Sequence, residues 1–113
     1  MIQSGNLTFK CATALAARRF VTITEATDIV AYTAEDALAE AITLSDSDNG
    51  VVSVQLLSDT SRSFFYDVED IIALGGVVGV GTDGKGKADD TSVDVCLAKN
   101  AVVAGAIGTG YNL

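Results

Sequence analysis

The chain has 113 residues, 49% of them hydrophobic, and fifteen acids against seven bases give it a net charge of −8. That length suits one domain with a single core, and the charge repels phosphate backbones and anionic bilayers, which sets nucleic acid and membranes aside as partners. No apolar run approaches the ~18 residues of a membrane span, and Met1 to Asn6 lacks the charged and apolar regions of a signal peptide, so the expectation is a protein kept in the cytosol that makes it.

Residues 1–10 read as an N-terminal arm or first strand ahead of a single β domain over residues 11–113, because Leu7 and Phe9 alternate with polar neighbours and no turn signal interrupts them. Ala12 to Arg18 is too short for an independent helix. Phe20 to Thr24 is rich in β-branched residues and reads as a strand, followed by a shorter one over Ile29 to Tyr32. Thr33 to Ile42 is contested. Thr33 is a possible N-cap, acids occupy the first turn, and Leu38, Ala41 and Ile42 have helical spacing. The Asn49-Gly50 turn, however, needs a strand before it, so we expect at most a helical turn and then a strand over residues 38–44.

After that turn, residues 51–57 alternate, with Val52, Val54 and Leu56 on an inner face and Ser53 and Gln55 on an outer one. Ser63-Phe64-Phe65-Tyr66 places three consecutive aromatics on a strand, whose side chains must point to both faces, so at least one is half exposed or covered by a partner. Asp67-Val68-Glu69-Asp70 reads as an exposed acidic turn with no base or nucleophile beside it. Residues 75–88 contain both G-x-G-x-x-G, through Gly79, Gly81 and Gly84, and a near match to the P-loop. The P-loop hydroxyl is replaced by Gly86, and Asp89-Asp90 follow where a phosphate needs positive potential. A strand, a tight Asp83-Gly84 turn and a short return strand fit better. Residues 93–97 alternate around Asp94 and give a last clear strand.

The chemistry-bearing residues are sparse. With no His and two cysteines, one chain offers no four-ligand zinc site, and the commonest general base is missing. Pairing of Cys11 with Cys96 is open from sequence, and a reducing compartment favours two thiols. Asp46 to Gly50 lacks the oxygen ligands of a calcium loop at both ends and reads as a solvated turn. Arg18-Arg19 and Arg62 are either ordinary exposed charges or partners for acids on another chain. These readings give a mainly β fold, a small barrel or sandwich with at most one or two short helical turns. They offer no catalytic residue, no metal and no cofactor.

The order of segments resembles the phage head decoration, or capsid cement, proteins. The likeness is carried by Ala16-Ala17-Arg18-Arg19-Phe20-Val21, by Ala37-Leu38-Ala39-Glu40-Ala41 ahead of Asp48-Asn49-Gly50 and the strand to Leu57, and by Ile71-Ile72-Ala73-Leu74-Gly75-Gly76-Val77-Val78 leading to Asp83-Gly84-Lys85. The glycine-rich end, Val102 to Tyr111, departs from that pattern. The resemblance implies a β-tulip-like domain on the capsid exterior of a virion, made in the host cytoplasm. It would bind the major capsid protein as a homotrimer and stabilise contacts between subunits without enzymatic activity. Ile2, Leu7, Phe9, Arg19, Arg62, Phe64, Phe65 and Tyr66 are the contact residues it suggests. The alternative is a β-sandwich recognition module of a tail fibre or cell surface, binding carbohydrate or protein.

Overall fold

The computed structural model describes residues 6–24, 27, 29–57, 63–88, 95–100 and 102–112. Among these residues ten strands form two sheets. The first comprises β1 (Asn6–Cys11), β2 (Phe20–Thr24), β3 (Ile29–Tyr32), β4 (Ala41–Thr43) and β5 (Val51–Leu56), closed into a barrel in the order β1-β3-β2-β4-β5. Its β1–β3 pair is parallel and the other pairs are antiparallel. The second comprises β6 (Ser63–Asp67), β7 (Val77–Val80), β8 (Gly86–Ala88), β9 (Cys96–Ala98) and β10 (Ile107–Asn112), in the order β6-β10-β9-β7-β8. The mainly β expectation holds, and the one short helical element among the described residues is a 3-10 turn at Thr82–Gly84.

Strand alternation serves two cores at once. Leu15, Val21, Val30, Ala41, Val52 and Val54 fill the barrel, with Leu7 and Phe9 of β1 packed against them. The neighbours of those residues, Phe20 and Ile42, point the other way into a second core with Phe64, Tyr66, Val78 and Cys96. Phe20, Phe64 and Tyr66 cluster where the sheets meet, with centroids 5.7 to 6.4 Å apart. Gln55, expected on an exposed face, is therefore buried, and its Nε2 donates to the Ser63 carbonyl at 3.4 Å. A strand covered on both sides defeats the inside-outside reading of its alternation.

The contested segment 33–42 forms no helix. Asp36 takes a left-handed conformation, its N–H bonds the Val80 carbonyl, and Lys87 bridges Glu35 and Asp36. Ala39 and Ile42 thereby enter the second core while Ala41 enters the barrel, which an extended chain can do. The strand is shorter than expected, Ala41–Thr43. The turn over Asp48 to Val51 forms, with Asn49 and Gly50 at positive φ. The residues before it are not merely solvated. Ser47 Oγ accepts the Leu15 N–H and Asp46 Oδ1 accepts the Ala17 N–H, which seats Leu15 as the plug of the barrel.

The run 75–88 forms the predicted hairpin. Asp83 and Gly84 lie at φ 52° and 73°, and Gly84 sits so close to the Phe20 carbonyl that a Cβ would reach within 2.5 Å of it. The glycines shape a backbone. Val93 and Asp94 of the last expected strand lie outside the described residues, and Cys96–Ala98 continues it as β9. Cys11 and Cys96 are free thiols. They belong to different cores.

Candidate functional site

Two glycine-rich stretches thirty positions apart adopt the same structure. Ala73 to Gly76 and Val103 to Ala106 are turns closed by hydrogen bonds of 2.9 and 3.1 Å, with Gly75 and Gly105 at φ 76° and 85°. That geometry is a type II turn, which requires positive φ at its third residue. Gly75 donates to the Ala98 carbonyl as Gly105 does to that of Val68. Ala98 donates to the Gly76 carbonyl as Val68 does to that of Ala106. Ile72 and Val102 exchange both backbone bonds at 2.9 Å where the two copies meet. Val77 faces Leu97 across the sheet as Ile107 faces Asp67. The two turns and the residues bonded to them are therefore related by a local quasi-twofold within one sheet, which ends where β10 pairs β9 while β7 pairs β8 in place of β6. Aligning Asp70-Ile71-Ile72-Ala73-Leu74-Gly75 with Asn100-Ala101-Val102-Val103-Ala104-Gly105 is the sequence signal of this repeat.

The paired turns form an apolar ridge. Ile71, Leu74 and Val103 are each more than 60% exposed, and Ile107 is 49% exposed. Between the turns lies a hollow of about 490 Å³ lined by Ile71, Ile72, Ala73, Val102, Val103 and Ala106. Exposed apolar surface grouped in this way marks contact sites more often than scattered exposure does.

Beside the ridge is a cationic cleft of about 330 Å³, where Arg18, Arg19 and Lys85 surround Asp67, Gly105 and Ala106. Arg18 Nε and Arg19 Nε each lie 2.9 Å from an oxygen of Asp67. The Asp67 N–H also bonds the Arg18 carbonyl, so β6 is tied to the loop ahead of β2. Arg19 further donates to the Asp83 carbonyl and lies 5.8 Å over the Tyr32 ring. The hollow and the cleft meet at Ala106.

A third hollow, about 360 Å³, lies between the sheets at Ile23, Leu38, Glu40, Leu56 and Val95, and its carboxylate accepts the Ile23 N–H. Among the described residues, no three His, Cys, Asp or Glu side chains gather as metal ligands. Burial pushes the Cys96 thiol up to about 12, and burial, then Cys96 beside it, raises the Tyr66 phenol. Both groups belong to the second core.

The sequence-derived contact residues are scattered through this structure. Phe65 is 61% exposed while Phe64 and Tyr66 are buried. The period of β6 sends the outer two into the aromatic cluster and the middle one outward, which removes Phe64 and Tyr66 as surface contacts. Leu7 and Phe9 pack on the barrel core rather than on an extended clasp. Arg19 is engaged within the cleft, and Ile2 and Arg62 lie outside the described residues. The ridge residues Ile71, Leu74, Val103 and Ile107 were absent from that set.

No protein-family model matches the chain, and no curated protein matches it by sequence. Its fold is similar to the crystal structure of the head fiber gp8.5 N base of bacteriophage phi29. The match has a TM-score of 0.78 and 18% identity, and covers 96% of this chain and 92% of that one.

Proposed function

We propose that the protein is a structural component of a phage virion that binds the outer surface of the head as a homotrimer, reinforces contacts between major capsid subunits and catalyses no reaction. The observation that carries this reading is the fold shared along nearly the whole chain with the N base of a phage head fiber. Segment order in the sequence points the same way through the decoration proteins. The apolar ridge supplies a surface for protein contact, and many copies on one lattice would turn a small contact into firm attachment.

A decoration assay tests it. Purified protein is mixed with heads from the cognate phage from which its gene has been deleted, and the heads are sedimented, imaged and heated. Bound copies at regular lattice positions and greater heat resistance are expected. Failure to bind heads in either the unexpanded or the expanded state overturns the proposal.

A further inference from the structure

We propose that the cationic cleft and the adjoining apolar hollow form one docking surface, whose occupant is a segment of the major shell protein carrying a carboxylate beside aliphatic side chains. This rests on the head-binding reading above and names the surface and the partner chemistry for it.

Charge identifies the partner. In a chain of net charge −8, three of the seven basic residues line one cleft that contains a single acid, Asp67. Asp67 takes one Nε from each arginine, and Arg19 turns a terminal nitrogen to the Asp83 carbonyl. Neither the terminal nitrogens of Arg18 nor the ammonium of Lys85 has an ion-pair partner among the described residues. The cleft thus holds an excess of positive charge, and Arg19 and Asp67 are only 17% and 21% exposed, which limits screening by water. An incoming carboxylate would meet a charge-assisted donor there. The same incoming segment would cover Ile107, which lines the cleft, and Val103, which lines the hollow, because the two depressions are continuous at Ala106.

Chain direction sets the ridge apart from the ends of the described chain. β10 starts at the ridge with Ile107 and carries the backbone about 17 Å away to Asn112. Tyr111 pairs with Ser63, whose carbonyl accepts Gln55 Nε2, and Gln55 pairs with Asn6. Both ends of the described chain therefore lie at the pole away from the ridge.

The test uses the full chain and the deletion-phage heads described above. Lys85→Glu reverses one cleft charge, Ile71→Ser with Val103→Ser removes ridge area, and Lys10→Glu on the exposed side of β1 is the control. Retained copies per head are counted across ionic strength, alongside the mass of each variant by light scattering and its melting temperature. About tenfold weaker retention for both the cleft and the ridge variant, with mass and melting unchanged, is expected. Wild-type retention that falls with salt is expected too. Wild-type-like retention by the variants overturns the inference and leaves the head-binding reading standing. So does a change of mass in the variants, which makes the surface a contact between copies. Wild type that ignores heads altogether overturns that reading and the inference with it.

Discussion

The barrel and the second sheet handle exposed backbone and exposed apolar surface in opposite ways. The barrel closes on itself, so its strands present no free edge. The second sheet is open, and its edges meet through little more than the bridge from Val68 to Gly86. Of the nine large hydrophobic residues exposed among the described ones, six lie on the second sheet and its turns. The closed half supports the fold and the repeated half presents a surface. Because β2 and β4 feed both cores, the support is rigidly joined to what it carries.

Removing the joint should have the largest effect. Phe20 is fully buried, meets Phe64 edge to face and lies tilted against Tyr66. Phe20→Ala should cost about 3–5 kcal/mol, read as a lower urea midpoint with a single transition. Two separated transitions would show that the sheets fold independently and that the shared strands do not couple them.

The second core also holds two fully buried titratable groups, Cys96 and Tyr66, whereas Cys11 and Tyr32 on the barrel core are only partly buried. The ordinary thiol value is 9.0, and burial pushes Cys96 up to about 12. Unfolded chains therefore release this proton from about pH 9 while the folded protein keeps it, so the contribution is complete below pH 9 and is lost as pH rises toward 12. The loss is on the order of 4 kcal/mol at full extent. The raised Tyr66 phenol acts in the same direction. Thermal melts at rising pH should show a decline beginning near pH 9 that Cys96→Ala makes shallower. Equal slopes for the two proteins would contradict burial as the source.

Tyr66 also makes the packing of the repeated sheet depend on glycine. A Cβ at Gly108 would stand 2.5 Å from its ring, and one at Gly86 equally close. Gly108→Ala should destabilise by roughly 1–3 kcal/mol through overpacking. Paired with Tyr66→Leu, it should cost clearly less than the two changes do separately, because the ring that meets the new methyl is gone. Strict additivity of the urea midpoints would show that the methyl finds room elsewhere.

Local features were the readable part of this chain. Alternation in residues 51–57 and the Asn49-Gly50 and Asp83-Gly84 turns depend on neighbours in sequence, and each appears where the pattern puts it. Gln55 and the segment before β4 were misread because the second sheet, built later in the chain, covers them. The cleft was invisible for a similar reason: Arg18 and Asp67 are 49 residues apart, and only the barrel-to-sheet packing brings them together. The ridge left a trace in the paired glycines, which becomes legible once the thirty-residue offset is applied.

That offset yields the smallest effect and the sharpest comparison within the second sheet. Gly75 and Gly105 have positive φ, and a Cβ at either would meet nothing within 4 Å. Substitution by Ala should therefore act through backbone strain alone, about 1 kcal/mol at each site. Urea midpoints of the two single variants should agree with each other, and the double variant should lose about twice as much if the turns yield separately. A double loss well above that sum would mean that the Ile72–Val102 bridge transmits strain from one turn to the other. Unequal single losses would show that the turns differ energetically despite equivalent hydrogen bonds, with the burden falling on whichever turn the neighbouring cleft constrains. Val68, whose carbonyl receives the Gly105 N–H and which lines that cleft, makes the second turn the one more exposed to such a difference.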